Sequence, residues 1–108
     1  MRKITQTIVS AFNAGNNKTT GNDSVQSVYN PATKQNETQL FLHGNLIAIK
    51  NSIGQLFITN AGWFSNTTKE RLNALNGVHI QQKKGIWYLN GIEWDGKLIE
   101  IKDKTRLN

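Results

Sequence analysis

Hydrophobic and polar positions recur along this chain with two different periods, and the changes of period mark out its elements. Ile4, Ile8, Ala11 and Phe12 fall at helical spacing, with Thr5, Gln6 and Ser10 on the other side. This predicts a short amphipathic helix over residues 4–12, stopped by Asn13 to Gly15. Residues 15–24 are polar and rich in glycine and asparagine, and read as a loop or linker. Ser24 to Tyr29 reads as an edge strand, and Asn30-Pro31-Ala32-Thr33 as a turn, because proline fixes φ and removes a donor. Glu37 to His43 forms a strand around Leu40, Phe41 and Leu42; it meets a two-residue turn signal at Gly44-Asn45 and returns as Leu46 to Lys50. Asn51 to Gly54 reverses the chain into a further strand, Gln55 to Thr59. Successive strands with short connections predict an antiparallel meander.

The period then changes. Thr67-Thr68-Lys69-Glu70 has the spacing of a capping box, in which the Thr67 hydroxyl meets the Glu70 amide and the Glu70 carboxylate reaches back. Leu72 and Leu75 supply the buried stripe, and Gly77 a C-terminal stop able to take positive φ. Together they predict a short helix over about residues 68–76. Val78 to Gln82 is a strand, and a two-residue turn at Lys84-Gly85 returns it as Ile86 to Leu89. That register pairs Ile80 with Leu89 and Gln82 with Trp87. It gathers Val78, Ile80, Trp87 and Leu89 on one face and turns His79, Gln81 and Tyr88 to the other. Asn90-Gly91 and Asp95-Gly96 are further turn signals, and Lys97 to Lys102 is the last strand, with a frayed tail over 103–108. The whole is an α+β domain: a twisted antiparallel sheet of six or seven strands, an N-terminal helix, and the short second helix. Residues 1–38 read as a variable N-terminal helix and loop of the same single domain.

Composition narrows the chemistry. The chain has 108 residues, enough for one domain with its own core. It has no cysteine, so disulfides, thiolate metal sites and thiol catalysis are excluded. No apolar run is long enough to span a membrane. Polar Thr5, Gln6 and Thr7 break the stretch after the basic start Met1-Arg2-Lys3, so no leader is expected. The formal charge is +6. Such a surface attracts anions: nucleotides, nucleic acid or an acidic protein face.

Enzyme chemistry finds little support. The two histidines, His43 and His79, lie on separate strands, and no nucleophile elbow of the G-x-S-x-G kind is present. Glu93 and Asp95 flank Trp94 where Asp95 serves turn chemistry. No metal site and no cofactor are expected. Two places suit an anionic ligand. One is the helix start, with Ser65, Thr67 and Thr68 at the free N–H groups and Lys69 and Arg71 on the same helix, although Glu70 competes for those donors. The other is the hairpin tip, with Lys83 and Lys84 beside Tyr88, where cations and an aromatic ring can hold a backbone and stack a base. Of the three tryptophans, Trp87 reads as core, while Trp63 and Trp94, beside Gly62 and Gly96, are candidates for a contact surface.

Several runs carry a family resemblance: Ala61-Gly62-Trp63-Phe64-Ser65, Thr67 through Leu75, Gln82-Lys83-Lys84-Gly85, Trp87-Tyr88-Leu89-Asn90-Gly91, and Trp94-Asp95-Gly96. Over about Leu40 to Ile101 the chain resembles a family of small uncharacterised proteins encoded by tailed bacteriophages. The resemblance implies a phage accessory protein acting in the host bacterial cytoplasm, and carries no functional residues with it. The expectation is a non-catalytic protein that holds an anionic ligand, a nucleotide signal or nucleic acid, on a basic surface, in a role against host antiviral defence. The alternative is an inhibitor of a host protein acting through an aromatic surface, and a small metal-dependent hydrolase comes last. The edge strand Ser24 to Tyr29 also offers a pairing edge to a second copy.

Overall fold

The computed structural model describes residues 2–102. The predicted tail over 103–108 lies outside the described residues. The chain opens with helix α1 (Lys3–Ala14), whose apolar stripe buries Ile8, Val9, Ala11 and Phe12. Gly15, at φ 73°, closes it in the left-handed conformation, and the backbone amides of Gly15 and Asn16 cap its last carbonyls.

The next stretch corrects the loop expected over residues 15–24. Strand β1 (Lys18–Thr20) pairs antiparallel with β2 (Asp23–Asn30), so the short edge lies at β1 and covers Asp23 to Val25. The apolar period gave no sign of this strand because Lys18, Thr19 and Thr20 are all polar. Asp23, the first residue of β2, is almost wholly buried. Strands β3 (Gln35–Leu42), β4 (Asn45–Asn51) and β5 (Leu56–Ile58) complete the predicted meander. The β3–β4 turn is His43-Gly44, one residue earlier than expected. Leu42 pairs with Asn45, and His43 and Gly44 take φ of 52° and 77°, as a two-residue hairpin turn requires. A bulge in β4 leaves Ile47 without a partner between Leu46 and Ala48, which pair with Phe41 and Leu40. Two consecutive residues, Ile47 and Ala48, are thereby buried together.

Helix α2 (Asn66–Asn73) starts two residues earlier than the capping-box pattern predicted and ends sooner. Ser65 is its N-cap: the Ser65 hydroxyl accepts from the Thr68 amide at 3.1 Å. Glu70 does not reach back to Thr67; its carboxylate is held by Arg2, Thr5 and Arg71. Ala74 ends the helix in right-handed geometry, and Gly77 takes its positive φ in a turn beyond it.

Strands β6 (Ile80–Lys83), β7 (Ile86–Leu89) and β8 (Ile92–Glu93) form a three-stranded sheet of their own, so the single sheet expected from the sequence is divided in two. The register is the predicted one, with Ile80 opposite Leu89 and Gln82 opposite Trp87. Asn73, at the end of α2, binds both backbone groups of Ile80 and ties the helix to this sheet. The last strand, β9 (Ile99–Ile101), leaves the small sheet and adds to β5, making a six-stranded sheet in the order β1-β2-β3-β4-β5-β9. One core joins the parts: Phe12 and Ile8 from α1, Leu40, Ile47 and Ile58 from the large sheet, Leu72 from α2, and Trp87 and Trp94 from the small sheet region.

Candidate functional site

The residues around α2 sort into an inner and an outer set. Arg71 belongs to the inner set. Its guanidinium donates to Asp23 Oδ2 at 2.7 Å and Oδ1 at 3.2 Å, to Thr5 Oγ1 at 2.6 Å and to Glu70 Oε1 at 2.8 Å. With Arg71 at 3% and Asp23 at 1% exposure, this is a buried fork-to-fork ion pair. Arg71 therefore has no face to offer a ligand, contrary to its expected role. Its positive charge is matched inside the fold, where it ties α2 to α1 and β2. Glu70 is part of the same network. Partial burial pushes its carboxyl upward, but hydrogen bonds from the Arg2 side chain and backbone and from Thr5, with the Arg2 charge, outweigh this and lower it from the usual 4.5 to about 2.

Trp94 also lies inside. It is 7% exposed, its ring lies 6.3 Å from that of Trp87, and its indole N–H donates to the Lys97 carbonyl at 3.0 Å. Gly96 next to it allows this packing. It sits at φ 88°, and a Cβ there would overlap the buried Asn60 side chain. Trp94 is thus a core residue and not part of a contact surface. Thr68 is buried too, with its amide and hydroxyl both engaged by Ser65.

The outer set is built by the segment between β5 and α2. Asn60 anchors it: its carbonyl accepts from the Trp63 amide at 2.9 Å, its side-chain oxygen accepts from the Gly62 amide, and its own backbone amide donates to the Gly96 carbonyl. Ala61 and Gly62 both take positive φ, which turns the next two rings outward. Trp63 and Phe64 are 59% and 53% exposed. Phe64 nevertheless meets the buried Trp87 edge to face at 5.1 Å, so its position is fixed from beneath. Trp63 forms one wall of an open cleft of about 380 Å³, with Leu42, His43, Asn45 and Ile47 of the β3–β4 hairpin opposite and Ser65, Thr67 and Thr68 at the start of α2. Four of the predicted site residues, Trp63, Ser65, Thr67 and Thr68, therefore converge on one place. His43 and Ile47 complete it, and nothing in the local sequence marked them. They arrive there through the strand pairing and the bulge.

The predicted hairpin tip is separate. Lys83 and Lys84 are exposed, and Lys84-Gly85 makes the turn, at φ of 51° and 80°. Tyr88 lies on the outer face, as expected, but Glu93 of β8 stands directly opposite it in the ladder. A carboxylate beside Tyr88 opposes any anion stacked there. Lys69 links the two regions. Its ammonium donates to Gln82 Oε1 at 2.9 Å and lies 6.0 Å from the centre of the Trp87 ring. The fold does not gather His79, Glu93 and Asp95, and among the described residues no three His, Asp or Glu side chains form a metal-holding group.

Fold and site together define a small α+β domain with an exposed aromatic pair, Phe64 of which is seated on Trp87, beside an open cleft. The family model described as Kyanoviridae Gp96 protein matches residues 1–105, and the chain belongs to this cyanophage family of small proteins. The match takes in the N-terminal helix and the first strands as well as the motifs from Leu40 onward. No curated protein matches the chain, and no solved structure does. Among the described residues no helix is long and apolar enough to cross a membrane.

Proposed function

We propose that this phage protein is a non-catalytic binding protein that meets a host protein in the infected cell's cytoplasm through the Trp63–Phe64 rim. One observation carries the reading. Two adjacent large aromatic rings are more than half exposed, yet Phe64 is seated on Trp87 and the Trp63 amide is held by Asn60. A ring held in place, as Phe64 is by Trp87, costs little ordering on association, and tryptophan is enriched among the residues that dominate interface energies. The phage origin makes a host factor, including one of antiviral defence, the natural partner.

A second reading keeps the anionic ligand, a nucleotide signal or nucleic acid. It is favoured by the +6 charge and by the exposed Lys83-Lys84 tip near Lys69. It is opposed by the inward turn of Arg71, by the occupied Thr68 amide, and by Glu93 beside Tyr88.

Capture from nuclease-treated host lysate at high salt separates the two, using the wild-type chain, Trp63→Ala/Phe64→Ala and Lys83→Ala/Lys84→Ala. The protein-contact reading expects one protein bound by the wild type and by the lysine variant and lost from the aromatic variant. Equal recovery by all three, or no recovery, rejects it. Binding seen only in untreated lysate at low salt, and lost from the lysine variant, supports the anionic ligand instead.

A further inference from the structure

Two asparagines in this chain precede a glycine, Asn76 and Asn90. Their flanks are almost the same, Leu75-Asn76-Gly77-Val78 against Leu89-Asn90-Gly91-Ile92, so in an unfolded chain both sites have the same local chemistry. An asparagine before glycine is open to attack on its side-chain amide by the next backbone nitrogen, because glycine has no side chain to obstruct the approach. The attack needs a mobile side chain and a backbone N–H that is not engaged elsewhere.

The fold withholds these conditions from Asn90. Its Oδ1 accepts from the His79 amide at 2.9 Å, and its Nδ2 donates to the Gly77 carbonyl at 3.0 Å. Asn51, which precedes the small Ser52, is held as well, by the amides of Ile53 and Gln55 and by the Gln55 side chain. Asn76 is placed differently. It lies with Gly77 in an exposed turn after α2, closed by the Val78 amide donating to the Leu75 carbonyl at 3.2 Å. Among the described residues, neither the Asn76 side chain nor the Gly77 amide makes a hydrogen bond.

We propose that Asn76 is a site of spontaneous deamidation selected by the fold, and that the isoaspartate formed there loosens the junction between the two sheets. The Gly77 nitrogen gives its proton to solvent base and bonds to Asn76 Cγ. The Cγ–Nδ2 bond breaks, and ammonia leaves with a proton from water. Water then opens the cyclic imide at either carbonyl, giving aspartate or isoaspartate. The net change is hydrolysis of an amide, with nothing oxidised or reduced. Isoaspartate routes the main chain through the side-chain carbon and so adds a methylene ahead of Gly77. That position has little slack. The Gly77 carbonyl holds Asn90 in the β7–β8 turn, and a Cβ at Gly77 would lie 3.2 Å from Ile101 of β9.

Peptide mapping by mass spectrometry tests this on the wild-type chain, incubated at mildly alkaline pH in its native state and, in parallel, in concentrated urea. Trypsin separates the sites into Leu72–Lys83 and Gly85–Lys97. In urea both asparagines should convert at similar rates. In the native protein Asn76 should convert about tenfold faster than Asn90 or more, because Asn90 must first open its two hydrogen bonds. Equal native rates, a faster Asn90, or protection of both sites overturns the proposal, and so does a native ratio that urea leaves unchanged. The isoaspartate form, isolated by chromatography, should unfold at a lower urea concentration than freshly prepared Asn76→Asp, which carries the new charge without the added methylene. Equal midpoints overturn the effect on the sheet junction.

Discussion

At the scale of single residues, Arg71 and Asp23 remove two full charges from water, and the removal is tolerable only because their geometry is complete. Two guanidinium nitrogens meet two carboxylate oxygens, and a third bond goes to Thr5. Taking away one partner strands the other, a loss that typically costs about 3–5 kcal/mol. Asp23→Ala is therefore expected to lower unfolding free energy by about that amount in urea titration. The double change Asp23→Leu/Arg71→Met, which removes both charges, should recover much of it, since a buried pair often contributes little net stability over apolar residues of similar size. A loss below about 1 kcal/mol for Asp23→Ala would place the pair among surface-like ion pairs and sink the account of Arg71 as an internal strut. The same pair explains why Arg71 reads from sequence as a ligand residue. A basic residue on a short polar helix is normally solvated, and its partner lies forty-eight positions away in a stretch with no apolar period.

At the scale of elements, local chemistry made some features legible, and long-range pairing hid the others. The β6–β7 register was readable because only one alignment puts Val78, Ile80, Trp87 and Leu89 together, and the sheet needs that buried face. The meander was readable from its turns. Strand β1 was not, since polar strands carry no period, and neither was the division into two sheets, because β9 selects its partner β5 at long range. The cleft was half legible: Trp63 and the start of α2 stood out, while His43 and Ile47 reach it through a turn register and a bulge. The cap of α2 shows how close the local alternatives were. Ser65 and Thr67 are both good caps by residue type, and the side chain that settles the choice is Glu70, drawn away from Thr67 by Arg2 and Thr5. Ser65→Ala should cost about 1 kcal/mol, the usual value of a lost N-cap, and Thr67→Ala roughly 0.5 kcal/mol or less. Thermal or urea unfolding of the two variants measures this, and the reverse ranking would restore the capping box.

At the scale of the whole molecule, the charge is large but scattered. The described salt bridges engage Arg2, Arg71 and Lys97, and the other described cations are spread over both sheets and both helices. Adjacent exposed cations occur among the described residues at Arg2-Lys3, where Glu70 already holds Arg2, and at Lys83-Lys84. Electrostatic binding to a nucleic-acid strand depends on how many cations reach phosphates at once, and each contributes roughly 0.7 to the salt slope on single strands. If Lys69, Lys83 and Lys84 act together, log K against log salt should fall with a slope of roughly −2, and the Lys83→Ala/Lys84→Ala variant should retain only about a third of it. A dispersed surface with no such site gives weak binding whose slope this variant barely alters. Fluorescence anisotropy with a labelled oligonucleotide at several salt concentrations distinguishes these outcomes. The dispersed result is the one expected here, because the fold turns Arg71 inward and sets Glu93 beside Tyr88. A steep, lysine-dependent slope would instead move the centre of function from the Trp63 cleft to the hairpin tip. It would also make the +6 charge a feature of recognition, where the dispersed result leaves it as one of solubility.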